Sequence, residues 1–372
     1  MFKRVLNQLG EFDWYLIVNI LLLMFFGLAT LYSLQMNVAE PDFAALYRQI
    51  IFALAGMALF ILVSLTNYRF WGDYYKLLLA GIVVILLGVF ITGTTIRGIK
   101  AWLTFFGQTI QPVEFAKLAL VIFLSKFFSL RAKTQPLLKN VFISGTATFI
   151  LVILVALQPD LGSAMILFFI WLFLVVLLPL PGKKLIGLFI IIALIFTLGW
   201  FTMLKPYQHQ RILVFLNPQA DPLGSGYNVA QAVLAVGSGE VLGRGLSLGS
   251  QSQLNFLPEQ ETDFIFAVIA EELGFVGAGL LLLLFLSLCL RIYQISRKYS
   301  DNFGNLLALG ILVYLMVQIF INIGMTMGMA PVAGIPLPFI SSGGSSLVSI
   351  LMAMGIVHSI YLHNKRLLFG KK

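Results

Sequence analysis

The chain of 372 residues contains a single cysteine, Cys289. No disulfide can form within it, and a cysteine-built metal site is excluded. Histidine is nearly as scarce, at three residues, and no His-x-x-x-His pair occurs. Charge is scarce too: 10% of residues are charged, against about 25% in an average soluble protein. With 60% hydrophobic residues, this composition excludes an ordinary soluble domain. No linker is long enough to hide one, and no period of about 20–50 residues repeats. The net charge of +9 is not a nucleic-acid signal, because basic residues of membrane proteins gather in cytoplasmic loops. The first apolar run lacks a small-residue cleavage site and reads as a retained helix, not a removable signal peptide.

What is present is a series of apolar runs, each near the length of about 20 residues that a membrane span needs. Ten are predicted: Trp14–Leu31, Gln49–Leu65, Leu77–Thr92, Pro112–Leu130, Val141–Leu157, Gly162–Leu178, Leu185–Leu204, Phe264–Leu290, Leu306–Met327 and Ser341–Leu362. With the N-terminus in the cytoplasm, 17 of the 24 basic residues fall on the cytoplasmic side. Of the 15 acidic residues, 11 fall on the outer side or in spans opening there. The expectation is an all-α polytopic membrane protein forming one domain over residues 1–372. Both termini are cytoplasmic, and a large extracytoplasmic loop, Lys205–Thr262, joins the seventh and eighth helices. Apolar-periodic pieces at Arg211–Leu216 and Tyr227–Val236 predict short helices on the membrane surface within that loop.

Ionisable residues in or beside spans are costly and mark function by default. Glu114 and Lys117, three apart, share a helix face where they can pair, for substrate or simply for packing. Asp160 opens the sixth span and also suits a helix cap. Asp263 opens the eighth, where free N–H groups and the helix dipole favour an anion. Glu271 and Glu272 lie about two turns deeper and suit bonds to neighbouring helices. Arg97, Lys100 and Arg211 are outer cations; the first two equally suit snorkelling. The run Ser341–Ser346, beginning with Ser341 and Ser342, suits close helix packing. Carboxylates with Lys and Arg, without nucleophilic Cys, suit a base acting on a hydroxyl beside an anionic leaving group. A divalent cation, Mg2+ or Mn2+, could sit between Asp263 and a pyrophosphate. The fitting reaction is transfer from a lipid pyrophosphate to a sugar hydroxyl; the rival is a transporter (flippase) of a lipid-linked precursor, which would place its polar residues near the midplane. A non-catalytic scaffold would leave the acidic cluster unexplained.

Seven segments carry a resemblance. They are Gly98–Trp102, Gln111–Lys117, Gln158–Gly162, Gly249–Glu259, Thr262–Phe266, Ala270–Gly274 and Pro336–Gly344. The chain resembles the SEDS family (shape, elongation, division and sporulation), and within it the RodA branch. The resemblance implies a peptidoglycan glycosyltransferase in a bacterial plasma membrane. It would polymerise lipid II at an extracytoplasmic site, beside a class B penicillin-binding protein. It further implies that Asp263 matches the family's essential aspartate, and that Trp102, Glu114, Lys117 and Asp160 match other positions the family relies on. Two departures stand out: Ala101 where the family has arginine, with Arg97 and Lys100 nearby, and Val113 where it has serine.

Overall fold

The computed structural model describes residues 11–36, 42–96, 98–105, 107–131, 137–179, 181–202, 209, 213–217, 221, 224–254, 256–298 and 301–369. Apolar runs dictate its helices. α1 (Trp14–Ser33), α2 (Ala44–Leu65), α4 (Tyr75–Thr92), α6 (Leu137–Leu157), α11 (Ile265–Lys298), α12 (Asn302–Thr326) and α13 (Gly344–Phe369) are each long and apolar enough to cross a membrane. Three more helices occupy the remaining expected spans. α5 (Pro112–Arg131) carries Glu114, Lys117, Lys126 and Arg131, which lower its hydropathy; α7 (Leu161–Val176) is apolar but short; α8 is Gly182–Thr202. α3 (Tyr68–Asp73), α9 (Ser225–Ser238) and α10 (Ser250–Gln253) are shorter connectors.

The helices are not equal partners. In α13, 89% of the membrane-length window is buried, against 17% in α4. α13 is therefore a central post rather than a lipid-facing strut, and it packs along α2. α12 fills the space among α5, α7 and α11. At the start of α1, Asp13 caps the helix by accepting from the Leu16 N–H. Its other oxygen accepts from Arg291 Nε at 2.7 Å, and its own N–H donates to His358 Nε2 at 3.0 Å. His358 is thus structural, as its position near the chain end suggests.

Two features depart from the expected all-α chain. The loop between α4 and α5 is a three-stranded antiparallel sheet: β1 (Thr94–Ile96), β2 (Ile99–Phe105) and β3 (Gln108–Ile110), in the order β1-β2-β3. β1 and β3 are too short to show a period, but the seven residues of β2 alternate Ile99, Ala101, Leu103 and Phe105 with Lys100, Trp102 and Thr104, and glycines at 98 and 107 mark the turns. The register pairs Thr94 with Trp102 and Leu103 with Ile110.

The second departure lies in α11, which breaks at Gly274 (φ 64°, ψ −164°). A broken helix frees backbone groups that lipid cannot satisfy. Here the loop supplies them. Arg244 and Gly245 N–H groups donate to the Glu271 and Glu272 carbonyls, each at 3.0 Å. In return, Phe275 and Val276 N–H groups donate to Glu240 and Val241 carbonyls at 2.9 and 3.1 Å. The chain at Gly243 passes so close that a Cβ there would lie 2.1 Å from the Glu272 carbonyl oxygen, and its φ is +81°. Gly243→Ala is therefore expected to cost at least about 2 kcal/mol, from left-handed strain plus backbone overlap. The check is a lowered unfolding midpoint in detergent. Gly237→Ala is the control: its Cβ would meet nothing within 4 Å, and it should leave the midpoint unchanged or raised.

Candidate functional site

The join between the long loop and α11 forms one wall of a cavity of about 330 Å3. Thr262, Asp263 and Phe264 line it from that side, with Glu259 just upstream. Trp102 from β2, Gln111 at the start of α5 and Asp160 at the start of α7 line the other side. The strap Val332–Pro336 and the serine–glycine run Ser342–Ser346 close it. Four side chains singled out in the sequence thus share one space: Trp102, Asp160, Asp263 and Ser342.

Asp263 precedes the first turn of α11, so its carboxylate lies where the helix dipole favours negative charge. Its backbone is held on both sides. Its N–H donates to the Glu259 carbonyl at 3.1 Å, and its carbonyl accepts from Asn322 Nδ2 at 2.9 Å. The preceding carbonyl, Thr262, accepts from Ser341 Oγ at 2.6 Å, and Ser342 N–H donates to the Glu261 carbonyl at 2.8 Å. Ser341 and Ser342 therefore act as a clamp beneath the turn, a more specific job than close helix packing. Gln49 Nε2 holds that clamp through the Ser341 carbonyl at 3.0 Å. Burial raises the Glu261 carboxyl above its ordinary range, opposed by its bond to Gln35 and by Arg48.

Asp160 caps α7: Oδ1 accepts from the Ser163 N–H at 3.0 Å, and Oδ2 accepts from Gln111 Nε2 at 3.1 Å. It is 5% exposed, and burial raises its carboxyl above the ordinary range. Bonds to Ser163 and the charge of Lys117 pull the other way. The capping role and the place on the cavity wall thus coexist.

Lys117 and Glu114 form a pair at 2.6 Å, with side-chain exposures of 0% and 2%. They do not line the cavity but lie behind it, near enough for Lys117 to act on Asp160. Tyr314 Oη stands 3.5 Å from Glu114 Oε2. Expected contact between Lys117 and a substrate phosphate gives way to a buried charge behind the wall.

Glu271 and Glu272 work away from the cavity. Glu271 accepts from the Gln251 and Ser252 N–H groups at 2.8 and 3.0 Å, capping α10. Glu272 accepts from Ser33 Oγ at 2.6 Å and from the Ser247 N–H at 3.1 Å. Both tie the loop down onto α11 and α1, in keeping with the bonds to neighbouring elements expected of them. Lys100 is turned away: its Nζ donates to the Phe90 carbonyl at 2.6 Å, near the negative end of α4. Ala101 is buried on the opposite face of β2 from Trp102. Arg97 and Arg211 lie outside the described residues.

Glu259 and Asn228 were not among the candidate site residues, although Glu259 ends one of the seven segments of resemblance. Glu259 lines the wall and accepts from Thr262 Oγ1 at 3.0 Å; Asn228 reaches it from α9. Among the described residues, no group of three His, Cys, Asp or Glu is placed to hold a metal ion. A divalent cation here would need ligand oxygens from the substrate as well as from Asp263.

Residues 13–366 match the family described as cell cycle proteins, FtsW/RodA/SpoVE. The chain is 39% identical over 300 residues to the peptidoglycan glycosyltransferase MrdB of Escherichia coli K12, covering 81% of this chain and 80% of that protein. It is 31% identical to the peptidoglycan glycosyltransferase RodA of Treponema pallidum, covering 95% and 98%. Among solved structures it is similar to a chain of a peptidoglycan synthase complex described as coordinating polymerization and crosslinking. That match has a TM-score of 0.79, 29% identity, and 95% and 98% coverage. It is also similar to the rod shape determining protein RodA of Thermus thermophilus, at TM-score 0.70, 26% identity, and 94% and 96% coverage. The chain belongs to the FtsW/RodA/SpoVE family.

Proposed function

We propose that the protein is a peptidoglycan glycosyltransferase that polymerises lipid II, with Asp263 as the general base. The observation that carries this reading is the meeting on one cavity of Asp263 and Asp160, at the starts of α11 and α7, with Trp102 from the middle of β2. Asp263 takes the proton from the 4-hydroxyl of the acceptor sugar. That oxygen attacks the anomeric carbon of a second lipid-linked disaccharide, and undecaprenyl pyrophosphate leaves. Lys117 supplies positive potential from behind the Asp160 wall, and Arg211 is the candidate for direct contact with the leaving phosphate. Asp263 would also hold a Mg2+ or Mn2+ ion shared with pyrophosphate oxygens, and such an ion would neutralise the leaving charge.

The cavity belongs on the extracytoplasmic side of a ten-span bundle with both termini in the cytoplasm. The charge asymmetry of the loops supports that orientation. A class B penicillin-binding protein is the proposed partner; the likeness to a chain of a peptidoglycan synthase complex supports it. Transport of the precursor fits less well, because the acids on the cavity, Asp160 and Asp263, open at helix ends, while Glu271 and Glu272 beside the break in α11 are tied to the loop and do not line it.

The test is purified protein with lipid II, assayed for glycan product on gels. Polymer is expected with Mg2+ or Mn2+ present, and chelation by EDTA is expected to lower the rate. Absence of polymer under every condition, with the protein folded, would overturn the assignment.

A further inference from the structure

Asn322 takes no part in the chemistry above, yet it grips the backbone of the residue at its centre. It is fully buried in α12. Its single Nδ2 donates to two carbonyls: Asp263 at 2.9 Å and Ile335 at 2.7 Å. One turn earlier on α12, Gln318 Nε2 donates to the Pro336 carbonyl at 2.9 Å. Two amides at i and i+4 thus hold the strap against the helix. That strap forms the wall facing Asp263. At Gly334 (φ +65°) a Cβ would lie 3.5 Å from Asp263 Oδ2, so the strap runs directly past the carboxylate.

We infer that Asn322 is a positioning residue that fixes the distance between the Asp263 carboxylate and the strap across the cavity. The inference rests on the reading of Asp263 as the base. Only a primary amide offers two N–H bonds from one short side chain, and both are used here. The cost is visible in the same residue. Its Oδ1 is buried with no hydrogen-bond partner among the described residues, a liability that an aliphatic side chain would avoid. An amide kept at that cost is kept for its donors. Serine would hold one carbonyl; aspartate, nearly the same shape, would hold neither and would repel both.

The experiment compares full-length Asn322→Ser, Asn322→Asp and Asp263→Asn with the unaltered protein, using lipid II as substrate. Displacing the base by an ångström is expected to cost on the order of 10²-fold. Asn322→Asp should therefore lose about that much in kcat, and Asn322→Ser about a tenth of that factor, while KM for lipid II stays within about twofold. A merely structural residue would instead weaken lipid II binding along with turnover. In the Asp263→Asn background, Asn322→Ser should add nothing. If Asp263→Asn is inactive while Asn322→Ser turns over like the unaltered protein, the positioning role is overturned and the base stands. If Asp263→Asn retains turnover, the base assignment itself fails. Should Asn322→Asp not fold, Asn322→Ser alone decides between these outcomes.

Discussion

Asp263→Ala should abolish glycan polymerisation, lowering turnover by roughly 10²–10⁴-fold, the range that a positioned general base contributes. The loss should be confined to chemistry. The turn that carries Asp263 is held through main-chain atoms, with its N–H bonded to Glu259 and its carbonyl to Asn322. Truncating the carboxylate breaks neither bond. The unfolding free energy should therefore fall by no more than about 1 kcal/mol, the contribution of an anion at a helix N-terminus. Asp263→Asn should be as inactive as Asp263→Ala, since it keeps the shape but accepts no proton. Asp263→Glu keeps the base and moves it by one methylene, so partial activity is expected. Gel analysis of products from labelled lipid II checks all three. Full polymerisation by Asp263→Ala would mean that the proton goes elsewhere.

Much of this architecture was legible because lipid imposes one rule on every span. Apolar runs marked the helices, and the acids Asp160 and Asp263 stood out against them. The break in α11 was not legible. Leu273, Phe275 and Val276 continue the apolar run across Gly274, and the groups that satisfy the opened backbone come from Glu240–Gly245, about 30 residues away. The amides of Gln49, Gln318 and Asn322 were invisible for a related reason. Each is an uncharged amide in a largely apolar helix, and the carbonyls that it holds are 13 to 292 positions distant. Glu114 and Lys117 fell between these cases. Their spacing announced a pair, but their depth depended on Tyr314 of α12 and Ser349 of α13 packing over them.

That depth sets the second large effect. Lys117→Met should destabilise the protein by about 3–5 kcal/mol, the cost of leaving one member of a buried pair without its counter-charge. The Glu114 carboxylate, 1% exposed, would keep the Tyr314 hydroxyl at 3.5 Å but lose its cation. The protein should accumulate poorly or unfold well below the unaltered form in detergent. Glu114→Gln in the same chain removes the stranded charge and should restore most of that loss, since an apolar–amide pair of similar volume needs no counter-ion. The double variant then separates fold from function. Lys117 also acts on Asp160 through the wall of the cavity. In the double variant both charges are gone; the effect of Lys117 is the larger, so with the Ser163 bonds still in place the Asp160 carboxyl becomes harder to keep ionised. Turnover of the refolded Glu114→Gln, Lys117→Met protein should thus stay about tenfold or more below the unaltered rate, as expected when a charge near the reacting centre is lost. Stability restored together with full turnover would show that the pair serves packing alone; stability restored with slow turnover would place the Lys117 charge in the chemistry.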